Sequence, residues 1–128
     1  MQVRHLSPPE VRPPFGRYHH AVGTAGAERL LFVSGQLGMR PDGSVPESVE
    51  HQTEQAFANI EACLTAGGFS RQHVVRLTVF LTEAEYRHGY MRVRDAWVAD
   101  PAPASTLIIV KALVLPACKV EIEAIAAA

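Results

Sequence analysis

The apolar residues of this chain change their period several times, and that succession limits the folds open to it. From about Ser48, the residues Val49, Thr53, Ala56, Ile60, Cys63 and Leu64 recur at helical spacing, and Gly67-Gly68 supplies a stop. Val74 to Leu81 then reads as a strand with apolar residues on both faces. A second helix from about Glu83 presents Tyr86, Tyr90, Val93 and Trp97 at steps of four, three and four, a stripe best explained as core packing. Asp100-Pro-Ala-Pro103 breaks it. Thr106 to Val110 is strand again, and Lys119 to Ala126 is the last strand. The short Leu115-Pro-Ala-Cys118 connection predicts that these two pair antiparallel.

Upstream of the first helix, Pro8, Pro9, Pro13 and Pro14 exclude a helix over residues 7–17 and predict an extended surface segment. Tyr18 to Val22 reads as a short strand, Gly23 to Glu28 as a turn, and Leu30 to Ser34 as a β-rich run ending at Gly35. Residues 38–46 are a loop by composition. The order β-β-α-β-α-β-β predicts one α+β domain over residues 1–128, a mixed sheet with two helices on one face. Leu31 and Val33 alternate with Leu30 and Phe32, and Leu107 and Ile109 with Ile108 and Val110. Both faces of the sheet are therefore apolar, and only one has helices to cover it. The other is expected to pack against another subunit.

A length of 128 residues suits one domain with a real core, and a 48% hydrophobic content is ordinary for a globular chain. The net charge of -1 comes without a basic cluster, so no nucleic-acid partner is expected. The start, Met1-Gln-Val-Arg-His5, has no apolar leader region and no apolar run reaches membrane length, so a cytoplasmic protein without a membrane span is expected. Cys63 and Cys118 are too few for a Cys-rich zinc site and read as ordinary thiols. His19 and His20 are neighbours that point apart on a strand, which makes them poor co-ligands; no metal or cofactor is expected.

The last strand carries the candidate chemistry. Alternation places Val120, Ile122 and Ala124 on one face and Glu121, Glu123 and Ile125 on the other. A solvated edge is the simpler account of the two carboxylates, and a general acid or base in a cleft is the other. No phosphate loop, dinucleotide fingerprint, nucleophile elbow or His-Glu-x-x-His motif occurs.

Gly16-Arg-Tyr18-His-His-Ala-Val22, Phe32-Val-Ser-Gly-Gln36, Gln52-Thr through Asn59-Ile, and Val120-Glu-Ile-Glu-Ala-Ile-Ala126 together resemble the RidA (YjgF) family of small imine and enamine deaminases. Val75 to Phe80 and Pro103-Ala-Ser-Thr106 fall in family order between them. The resemblance implies a chorismate-mutase-like protomer and a homotrimer with a small-molecule cleft between subunits, where water adds to a C=N bond and ammonia leaves. It also implies that Glu121 activates or orients the water, with Tyr18, Ser34, Gln36 and Thr106 contacting the ligand. Glu123 is left with a structural or surface role.

Three departures qualify this. The family's carboxylate-binding arginine is replaced by Ala104, which has no donor to offer. Arg17 stands where the family has proline, and with Lys111 it is a candidate for the missing cation. Tyr90 takes the place of an asparagine if a gap is allowed. The expected activity is therefore deamination or hydrolysis of a small imine or enamine lacking an anchored α-carboxylate. The alternative is a small-metabolite-binding protein or a non-deaminating pathway enzyme using the same cleft, and a chaperone-like trimer is a third possibility. Nuclease activity is not expected.

Overall fold

The computed structural model describes residues 1–128. Eight strands and helices of regular length appear: β1 (Gln2–Leu6), β2 (Ala21–Ala25), β3 (Leu30–Leu37), α1 (Val49–Ala66), β4 (Val74–Leu81), α2 (Arg87–Trp97), β5 (Ala104–Ile109) and β6 (Val120–Ala127). The main sheet has the order β3-β6-β4-β5 and is mixed: β6 runs antiparallel to both β3 and β4, and β5 runs parallel to β4. Both helices lie on one side of it, as expected.

Helix α1 starts where Ser48 caps it, its hydroxyl accepting the His51 N–H at 3.1 Å. It ends where Gly67 and Gly68 turn the chain, Gly68 at a φ of 75° that favours glycine. Its inward stripe packs on β3 and on Val120, Ile122 and Ala124 of β6, and Leu77, Val79 and Leu81 of β4 belong to the same buried core. Phe57 stacks on Trp97 with ring centroids 4.4 Å apart and on Tyr90 at 6.3 Å. The aromatic stripe of α2 is thus core, as its spacing predicts, and Tyr90 is fully buried. Burial pushes its phenol well above the usual range, and the nearby Arg94 charge only partly offsets that.

Three expectations need correction. The chain opens with an additional strand: β1 pairs antiparallel with β2 in a separate two-stranded sheet, with Leu6 opposite Ala21 and Gln2 opposite Ala25. The expected strand at Tyr18 to Val22 accordingly begins later, and Tyr18 itself is outside it. Second, β5 and β6 are not partners. The connection through α2 lays β5 parallel beside β4, and β6 takes the free edge of β4 on the other side. A short loop between consecutive strands was a local signal, and the longer crossover overrides it. Third, the second helix is preceded by a 3-10 turn over Ala84–Tyr86, so α2 proper starts at Arg87.

The second sheet face is open within the chain. Leu30, Phe32 and Ile108 stand exposed on it, and Phe32 is 69% exposed. Across the register from them lie Arg76, Thr78, Phe80, Glu121, Glu123, Ile125 and Thr106. No helix of the chain is long and apolar enough to cross a membrane.

Candidate functional site

The sequence-derived candidates fall into two groups on opposite sides of the sheet. Glu121, Thr106 and Ala104 belong to the register of the open face. Glu121 is half-buried and paired by backbone with Leu37 on β3 and Phe80 on β4. It makes no ion pair within the chain, so its carboxylate is free to accept. Glu123, two residues on, is exposed.

Gly35 explains how the Glu121 carboxylate fits. The β3–β6 register shifts between Val33 and Gln36, and Gly35 lies in that irregularity, directly under the carboxylate. A Cβ on Gly35 would come within 2.8 Å of Glu121 Cδ, so the Ser-Gly-Gln turn clears the ground the acid occupies. Past the irregularity, Gln36 stands opposite Ile122, and its amide donates to the Ser34 carbonyl at 3.2 Å. Ser34 is exposed. Cys118 lies just before β6; burial pushes its thiol up, and the nearby Glu121 charge adds to the shift.

At the β5 edge, the Thr106 hydroxyl accepts from Arg76 Nη2 at 2.7 Å. Arg76 is paired across the ladder with Ala104, so a guanidinium stands beside the alanine. Sequence reasoning did not single Arg76 out. Its signal was the strand alternation of β4, which puts a charge among apolar residues at the position facing Ala104.

Tyr18 is elsewhere. It is half-buried, its hydroxyl accepts the Phe15 N–H at 3.2 Å, and it lines a cavity of about 500 Å³ between α2 and β5. Ser105 and Leu107 line the same cavity, and they alternate with Thr106 and Ile108, so it lies on the helix side of β5. Within one chain, then, Tyr18 and Glu121 are not brought together. Arg17 does not line the cavity either: its guanidinium donates to the Asp95 carbonyl at 2.5 Å and the Ala99 carbonyl at 3.3 Å, satisfying the end of α2. Lys111 follows β5 in an exposed position. The cations that do line the cavity are Arg87 and Arg94 of α2, which the sequence reading passed over. No group of His, Cys, Asp and Glu side chains converges as a metal site.

Known proteins place the chain. Residues 9–128 match the family model described as Endoribonuclease L-PSP. A RutC family protein of Aquifex aeolicus is 32% identical over 97% of this chain and 98% of its own length. The chloroplastic Reactive Intermediate Deaminase A of Arabidopsis thaliana is 37% identical over 87% of this chain and 58% of that protein. Among solved structures, a Yersinia pestis protein of unknown function from the conserved Rid family superposes with a TM-score of 0.89 at 29% identity, each chain covered in full. The fold is thus that of a Rid-type α+β protomer. The chain belongs to the RidA (YjgF) family.

Proposed function

We propose that this protein is a cytoplasmic homotrimeric enzyme that hydrolyses the C=N bond of a small imine, or of the enamine in equilibrium with it. The observation that carries the reading is Glu121: an unpaired carboxylate on an open sheet face, with Gly35 beneath it making room. In the reaction, Glu121 takes a proton from water as the water oxygen bonds to the imine carbon. The nitrogen is protonated, ammonia leaves, and the carbinol collapses to a carbonyl. Thr106 and Ser34 are the open-face substrate contacts of this reading, and Gln36, opposite the core-facing Ile122, closes the turn beside them. Tyr18 lies on the helix side of its own chain, so it joins Glu121 only from a second copy. That requirement, together with the exposed Phe32, Leu30 and Ile108, supports a cleft between subunits. Ala104 offers no donor, so a family-type α-carboxylate anchor at this position is absent from the reading, which is that of a subgroup without it.

The test is ammonia release above the spontaneous rate from imines generated in place by amine or amino-acid oxidases, with and without a carboxylate. Glu121→Ala should lower the enzymatic rate by about 10²-fold or more. No acceleration of any imine, or full activity in Glu121→Ala, overturns the proposal. A second reading, a small-metabolite-binding protein, is favoured by the cavity under α2; a compound co-purifying with the inactive chain in native mass spectrometry would support it.

A further inference from the structure

We propose that Arg76 is a positioning residue of the hydrolytic site: it makes Thr106 a fixed hydrogen-bond donor that stabilises the imine nitrogen as water adds. The inference rests on the hydrolytic reading above and deepens it, by assigning a group to the nitrogen as Glu121 is assigned to the water.

The hydrogen bonding of Thr106 is the reason. Arg76 Nη2 donates to Thr106 Oγ1 at 2.7 Å, and a guanidinium can only donate, so the hydroxyl oxygen is the acceptor of this bond. The Thr106 proton makes no hydrogen bond of its own in the chain, so it points away from Arg76 and is left for a ligand. Both side chains are half-buried, which limits screening by water. Nothing else competes for Arg76. Neither ion pair of the chain includes it, and its bond to Thr106 is the only one it makes. Its full charge therefore acts on the hydroxyl and strengthens the O–H as a donor. The register shows how the contact is reached: Arg76 stands opposite Ala104, and Thr106 lies two residues further along the same face of β5. The small Ala104 leaves the arginine stem room to run along β5 toward the hydroxyl.

A donor held this way suits the nitrogen and not the water. An oxygen already accepting from a cation is a poor base, and that task belongs to Glu121; its proton suits an atom that gains electrons. As the water oxygen bonds to the imine carbon, the C=N π pair moves onto nitrogen, and the Thr106 O–H donates to that pair. The proton that Glu121 took from water goes to the nitrogen, giving the carbinolamine. Its hydroxyl proton follows the same route as the C–N bond breaks and ammonia leaves. Thr106 keeps its own proton throughout. Strand β4 and two residues of the ladder separate Thr106 from Glu121, about 12 Å within one chain. The two therefore meet on one substrate only across a subunit boundary, as Tyr18 and Glu121 do.

The experiment measures steady-state imine hydrolysis by the full-length chain and its variants, alongside a titration that needs no activity. Arg76→Met should lower kcat at least about tenfold with KM changed less than about threefold, and Arg76→Lys should recover most of the loss. In a Thr106→Val background the same Arg76→Met change should cost less than about twofold, because no hydroxyl is left to polarise. The titration uses Thr106→Cys and follows alkylation of that thiol against pH by mass spectrometry. The thiol should titrate at least about one pH unit lower with Arg76 present than with Arg76→Met. An inactive parent overturns the hydrolytic reading and the role of Thr106 with it. An active parent in which Arg76→Met costs as much without the hydroxyl as with it, or acts on KM alone, overturns this inference and leaves that reading standing. A thiol that titrates alike with and without Arg76 overturns the contact itself, whatever the activity. Should Arg76→Met fail to fold, Arg76→Gln, which keeps a donor and loses the charge, carries both comparisons.

Discussion

Replacing Gln52 by leucine should destabilise the protein by about 3 kcal/mol, because this one side chain ties three separate segments together. Gln52 lies on the inward face of α1 and is wholly buried. Its amide nitrogen donates to the Pro46 carbonyl at 2.8 Å and the Ala117 carbonyl at 2.9 Å, and its oxygen accepts the Lys119 N–H at 2.8 Å. Leucine has a similar volume and makes none of these bonds. Pro46 is buried, so its orphaned carbonyl costs about 2 kcal/mol, while the partly exposed Ala117 and Lys119 groups cost roughly 1 kcal/mol each. Better burial of the leucine side chain returns about 1 kcal/mol. The net is a sizeable share of the roughly 5–15 kcal/mol that holds such a domain together. Urea unfolding at constant slope measures it, and a fall in Tm on the order of 10 °C should accompany it. Lys119 is two residues before Glu121, so the start of β6 should loosen as well, visible as faster hydrogen exchange at residues 118–121. A loss under about 1 kcal/mol would mean that water replaces these bonds and that Gln52 does not anchor β6.

Gly35→Ala tests how the carboxylate is placed. To withdraw from 2.8 Å to an ordinary contact of at least 3.4 Å, Glu121 Cδ must move by about 0.6 Å or more. Stability should fall by only about 1 kcal/mol, since a flexible side chain gives way, while imine hydrolysis drops by about 10²-fold; a variant as active as the parent would show that the placement of Glu121 is not critical. Phe32→Asp tests the open face. The parent should sediment as a trimer and the variant as a monomer, and a monomeric parent at micromolar concentration would remove the intersubunit cleft from the argument.

Much of this architecture was legible because burial writes itself into the spacing of apolar residues. Alternation along 120–125 sorts Val120, Ile122 and Ala124 into the core and leaves Glu121 and Glu123 outside it, as the burial pattern shows. The helical stripe of α1 and the bounds of β4 follow for the same reason. Strand partnership was less legible. Nothing in Leu115 to Cys118 reveals that β4 takes β5 on one side and β6 on the other, because that outcome is decided by where α2 returns the chain. Strand β1 was missed for a related reason. Its partners are nineteen or so residues away in sequence, beyond a proline-rich stretch, and it has too few apolar residues to announce a buried face.

The candidate site shows the same divide between what a strand's own pattern records and what only the assembled chain reveals. Glu121 stands out within its own strand, because a carboxylate among apolar residues is conspicuous at period two. Arg94 does not, because an arginine late in an amphipathic helix is ordinarily a surface cation. What makes it unusual is a glycine seventy-eight positions earlier, Gly16, whose missing side chain leaves space beside Nη2. Ala104 shows the limit from the other side. Read along the chain, it is a lost arginine. In the sheet it is a small residue beside Arg76, whose guanidinium reaches Thr106. The open face therefore keeps a cation near that position, but one that is already donating to a hydroxyl. An anion competing for Arg76 therefore has to break that bond.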